Sequence, residues 1–182
     1  KSYKRVGMKS HKILLLVALV QCTIALNAQQ VRKVLFIGNS YTSVNNLPAT
    51  VAAIATSLGD TLRYDSNAPG GATFAQHSQN ATTLQKITAG GWNMVVLQAQ
   101  SQEPSFPPSQ VATQTYPYAA FLDSLINATD SCTETVFYQT WGRKNGDQSN
   151  CGVYPPLCTY IGMQDRLTTS YREMAYLNNA TA

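Results

Sequence analysis

Three short stretches of this chain carry residue types that together can attack a carbonyl. The first is Gly38-Asn39-Ser40, which follows the apolar run Val34-Leu35-Phe36-Ile37. A serine hydroxyl becomes a nucleophile when a base takes its proton. The second is Ala68-Pro69-Gly70-Gly71-Ala72-Thr73, and the third is Gln98-Ala99-Gln100-Ser101-Gln102-Glu103. Glycine backbone amides and side-chain amides can hold the charge that grows on a carbonyl oxygen under attack. Brought to one edge, these groups are the parts of an acyl-transfer site. Each has a plainer reading as well. Ser40 can cap the helix that follows it, Gly70-Gly71 can be a turn, and the glutamine run can be a solvated loop.

The elements that must position these loops alternate. Strands are predicted at Lys33–Gly38, Thr61–Ser66, Met94–Leu97 and Thr135–Thr140. They are short, apolar or alternating, and bounded by turn residues. Helical spacing is predicted over Leu47–Leu58 with Pro48 in its first turn, Phe74–Thr88, Val111–Asn127 with Pro117 inside it, and Met163–Leu177. The remaining stretch, Gly142–Gly162, reads as a long loop. Strands alternating with helices imply a parallel sheet covered on both faces. In such a sheet the three loops converge at one edge, where open α/β sheets collect their ligands.

Residues 1–28 have the composition of a secretory signal. Lys9 and Lys12 precede the apolar segment Ile13–Val20, Ala28 is a small residue before the expected cut, and residues ahead of Met8 read as upstream readthrough. The apolar segment is shorter than the ~20 residues of a membrane span. A lipid anchor at Cys22 is disfavoured by Gln21 before it, so no stable membrane anchor is expected. The chain of 182 residues carries 13 basic and 9 acidic residues, a net +4. Five of the basic residues and none of the acidic ones lie in 1–28, which leaves 8 against 9, a net −1, in the rest. That balance excludes an electrostatic case for nucleic acid. Residues 29–182 suffice for one domain with a core.

Cys132, Cys151 and Cys158 follow the leader. Cys151 and Cys158 flank Pro155-Pro156 and are expected to form a disulfide in an oxidising compartment. A zinc site is the rival, disfavoured because His77 is the only histidine after the leader. Cys132 is left over, as a buried thiol or the partner of another group.

Phe36-Ile37-Gly38-Asn39-Ser40-Tyr41 resembles the first block of the SGNH hydrolases, or GDSL-type esterases, with Gly-Asn-Ser for their usual Gly-Asp-Ser. Gly70-Gly71-Ala72-Thr73 is similar to the second block. Val95-Val96-Leu97 followed by Gln98 to Gln102 stands where the third has a strand and Gly-x-Asn-Asp, and Phe137 to Arg143 is similar to a later strand region of secreted GDSL-like proteins. The resemblance implies a three-layer α/β/α sandwich with a mostly parallel, flavodoxin-like sheet, its last strand and helix missing. It makes Ser40 the nucleophile and assigns the oxyanion to the amides of Ser40 and Gly71 with Gln102, or Gln100, in place of the family's asparagine. Asn39 and His77 become candidates for substrate contact. No metal or cofactor is implied.

The family's base is a histidine in Asp-x-x-His after one more strand. This chain has no histidine beyond His77, and a C-terminally incomplete domain is the expectation. His77 itself has the right ordinary pKa for a base but stands elsewhere than the family's, which leaves substrate contact or helix packing as its other roles. The expected activity is a secreted or periplasmic serine esterase that removes acetyl or short acyl groups from carbohydrate or related small esters, inactive as this fragment. The alternative is a non-catalytic carbohydrate-binding or surface protein on a decayed scaffold of the same kind, and the glutamines in the third block favour it.

Overall fold

The computed structural model describes residues 31–182; the leader and Cys22 lie outside the described residues. Four strands, β1 (Val31–Ile37), β2 (Thr61–Asn67), β3 (Met94–Leu97) and β4 (Glu134–Phe137), form an all-parallel sheet in the order β2-β1-β3-β4. Ile37 pairs with Asn67 on one side and Leu97 on the other, and Leu97 with Phe137. Thr181 makes a further isolated parallel bridge to Val136 of β4.

Val34–Ile37 is an unbroken apolar run because both faces of β1 are covered. Its side chains alternate between two cores. Leu35 and Ile37 join Val95, Leu97 and Phe137 under Phe74, Ile87, Leu122, Ile126, Leu167 and Tyr171. Val34 and Phe36 join Val96 on the other face, against Val51. The helices are α1 (Ser40–Ser43), α2 (Leu47–Ser57), α3 (Phe74–His77), α4 (Ala81–Thr88), α5 (Pro108–Gln114), α6 (Tyr116–Thr129) and α7 (Tyr160–Leu177). Helix α2 supplies Val51 to the second core, whereas α3, α4, α6 and α7 cover the first. This is the expected α/β/α sandwich.

Three predicted elements differ. Phe74–Thr88 is two helices, because Asn80 caps α4 with its side chain, accepting from the Thr83 N–H. Val111–Asn127 is also two: α5 ends before Thr115, and Pro117 sits in the first turn of α6, where its missing N–H leaves no bond unmade. Strand β4 stops at Phe137 rather than Thr140, and Gln139 turns to donate to Thr168 Oγ1 at 3.0 Å. No helix among the described residues is long and apolar enough to cross a membrane.

Candidate acyl-transfer site

The chain leaves β1 for β2 on one side and returns to β3 on the other. The carboxyl ends of β1 and β3 therefore flank the topological switch point of the sheet, the usual ligand crevice of open α/β folds. Ser40 follows β1 there and Gln98 follows β3. The turn into Ser40 needs glycine for space. A Cβ on Gly38 would lie 2.4 Å from Thr42 Oγ1 and 2.7 Å from Gln98 Oε1.

Asn39, not Ser40, caps α1: its Oδ1 accepts from the Tyr41 N–H at 3.0 Å. Its Nδ2 donates to Ala72 O at 3.1 Å and Ala99 O at 3.5 Å, and its own N–H donates to Gln98 Oε1 at 2.9 Å. One side chain thus ties the first loop to the second and third. Asn39 is 2% exposed. Burial and these partners make the residue a tie between the three loops. Gln98 is likewise fully buried rather than solvated, and its Oε1 also accepts from Thr42 Oγ1 at 3.0 Å.

His77 braces the same turn. Its Nε2–H donates to Gly38 O at 2.8 Å, so the ring is the neutral Nε2–H tautomer, and Nδ1 accepts from Thr83 Oγ1 at 2.8 Å. Asn67 Nδ2 donates to the same Thr83 oxygen at 2.8 Å. The ring is buried and both nitrogens are used, so His77 supports the turn. Burial lowers its pKa below the ordinary 6.5, against the opposing pull of the Gly38 carbonyl. The unfolded chain therefore takes up a proton below about pH 6.5 that the folded chain refuses until lower pH. Stability from this group is present above that value and lost as pH falls towards the folded pKa. Urea unfolding over a pH series is expected to show this slope in the wild type. His77→Gln, which keeps a donor for Gly38 O, is expected to flatten it.

Ser40 is half-buried, and among the described residues its hydroxyl has no hydrogen-bond partner. The backbone N–H groups of Ser40 and Gly71 are also free of protein acceptors among these residues. Gly71 is exposed, takes φ +72°, and precedes the Ala72 carbonyl that Asn39 holds. In the third loop Gln100 Oε1 accepts from the N–H groups of Gln102 (2.6 Å) and Glu103 (3.0 Å) and shapes the turn. Gln102 Nε2 donates to Asp147 Oδ2 at 2.6 Å. A primary amide has two N–H bonds, so Gln102 is oriented through one and keeps the other. Glu103, next along the chain, has its carboxyl pushed up to about 7 by burial.

Asp147 was not singled out by the sequence reading. It is fully buried and also accepts from Asn150 Nδ2 at 2.7 Å and Arg143 Nη1 at 3.1 Å. Burial pushes its carboxyl up, but the hydrogen bonds from Asn150 and Gln102 and the charge of Arg143 outweigh it and hold the pKa below the usual carboxylate value. The Arg143 guanidinium is thereby paired. The loop around Asp147 doubles back on itself. The expected Cys151–Cys158 disulfide forms, Asp147 N donates to Leu157 O at 2.7 Å, and Gly146 at φ +72° passes so close to Leu157 that a Cβ would sit 2.2 Å from its oxygen. Cys132 is an exposed free thiol. Trp141 is 49% exposed and stacks on Tyr41 with ring centroids 4.8 Å apart and planes at 14°.

No protein-family model matches the chain, and no curated protein matches it in sequence. Solved structures do match in fold. A DUF4886 family protein from Bacteroides uniformis superposes with a TM-score of 0.66 at 15% identity, covering 83% of this chain and 65% of that one. The chain thus spans just under two thirds of that protein's length. Esterase EstA from Pseudoalteromonas, in a structure inhibited by monoethylphosphonate, gives 0.55 at 11% identity over 82% and 75%. Axe2, an acetyl-xylooligosaccharide esterase from Geobacillus, gives 0.56 at 15% identity over 85% and 76%. With the sheet order, the two-sided helix layers and the three loops at the switch point, these likenesses show that the chain has the SGNH-hydrolase-like α/β/α fold.

Proposed function

We propose that this protein is a secreted serine esterase of SGNH type that removes acetyl or other short acyl groups from carbohydrate or related small esters. The observation that carries the reading is the junction at Asn39. It joins the Ser40 turn, the Gly71 loop and the glutamine loop by hydrogen bonds, with the Ser40 hydroxyl and two backbone N–H groups left free beside it. Ser40 Oγ bonds to the ester carbonyl carbon, and the C=O electrons move onto oxygen. The N–H groups of Ser40 and Gly71 and the second N–H of Gln102 take that charge. The tetrahedral centre collapses, the alcohol leaves with a proton, and water then frees the acyl group from Ser40. The proton carrier is not His77, whose ring nitrogens are both committed. The resemblance places the carrier after a fifth strand, and Thr181 makes an isolated bridge to β4.

The disulfide and the leader composition support export. A second reading, a carbohydrate-binding protein without catalysis, is favoured by the same commitment of His77, the only histidine among the described residues. Labelling separates the two. A fluorophosphonate is expected to add one phosphonyl group to Ser40 of the full-length protein, read by intact and peptide mass, and Ser40→Ala is expected to abolish it. A full-length protein that neither labels at Ser40 nor hydrolyses acetyl esters would overturn the esterase reading.

A further inference from the structure

The nucleophile's neighbour, Tyr41, is stacked on a tryptophan that folding alone does not require to be there. Trp141 is 49% exposed, so it buries little for the core, and Tyr41 covers one face of its ring. Its backbone is nonetheless held firmly. The next two residues dock on α7: Gly142 N–H donates to Gln164 Oε1 at 2.9 Å and Arg143 N–H to Met163 Sδ at 3.3 Å. Gly142 packs so tightly that a Cβ would lie 3.0 Å from Tyr160 O. Beyond it, Arg143 is fixed by Asp147 while its side chain stays 40% exposed. A large flat ring is thus pre-set against the residue that follows Ser40, with a fixed guanidinium two residues away.

We infer that Trp141, backed by Tyr41, is a binding platform for a pyranose ring of the substrate. This rests on the esterase reading and adds what lies on the alcohol side of the ester. The apolar C–H face of a pyranose covers an aromatic ring, and its rim of hydroxyls needs hydrogen-bond donors and acceptors around that ring. Arg143, two residues from Trp141, supplies such donors from a guanidinium that stays 40% exposed. Because the platform is fixed before binding, little ordering is required of the protein.

Titration of the full-length protein with xylohexaose and cellohexaose, followed by saturation-transfer NMR and tryptophan fluorescence, tests this. At least one oligosaccharide is expected to bind, with affinity falling about tenfold in Trp141→Ala and within about threefold of wild type in Trp141→Tyr, which keeps an aromatic face. Far-ultraviolet circular dichroism and the urea midpoint of Trp141→Ala are expected to stay near wild type, which reports that the variant is folded. Absence of binding to both sugars overturns the inference, as does binding that Trp141→Ala leaves intact. Loss of octanoyl-ester turnover but not of sugar binding in that variant overturns it in favour of an acyl-chain site. Failure of Ser40 to label, with sugar binding still dependent on Trp141, removes the esterase reading and leaves the platform.

Discussion

Asp147→Ala is expected to destabilise the protein by about 2–4 kcal/mol, measured by urea unfolding at neutral pH. The substitution strips the acceptor from Gln102, Asn150 and Arg143 at a fully buried point. The half-exposed Arg143 can rehydrate, which holds the cost below that of a wholly buried pair. The pH dependence gives a second readout. Because the folded carboxyl titrates below the ordinary 3.8, its contribution is present above that pH and lost as pH falls through the folded pKa. Asp147→Asn is expected to flatten this acid limb while keeping one acceptor oxygen. Under the esterase reading, Asp147→Ala also frees the Gln102 amide, so kcat is expected to fall by about 10²-fold, as for loss of one oxyanion donor, with KM little changed.

Gly38→Ala is expected to cost about 1–3 kcal/mol and to disable Ser40 more than it unfolds the chain. The new methyl meets Thr42 Oγ1 and Gln98 Oε1 well inside contact distance. Neither can retreat freely, because Gln98 Oε1 already accepts from Asn39 N–H and Thr42 Oγ1. Displacing Gln98 shifts the turn carrying Ser40. Fluorophosphonate labelling is expected to slow by at least about tenfold while far-ultraviolet circular dichroism stays near wild type. Unchanged labelling would show that the crowding at Gly38 is relieved without moving Ser40.

The layers of this fold were legible because parallel strands covered on both faces must be apolar throughout. Val34–Ile37 and Met94–Leu97 have no other good solution. Helix breaks were harder to read. Asn80 and Pro117 sit inside periodic segments, and whether such a residue caps, kinks or merely starts a helix is decided by its neighbours in space. That the Ser40 turn, the Gly71 loop and the glutamine loop meet at one edge was legible from residue type and order. The roles of Asn39, Gln98 and His77 were not. A buried amide and a buried imidazole look like functional groups in sequence, and only the carbonyls of Gly38, Ala72 and Ala99 within reach show that they serve the backbone. Asp147 was missed because it stands in an irregular loop, 45 residues from the glutamine it orients. The only local hints were Arg143 four positions earlier and the glycine before it.

The bonds that Asn39 makes between the three loops join neutral amides to backbone groups. Ionic strength screens attraction between charges and has little hold on such bonds. The alignment of Ser40 with its neighbouring loops is therefore intrinsically salt-tolerant. Sensitivity to the medium falls instead on the stapled lobe, whose buried carboxylate and disulfide respond to acid and to reductant.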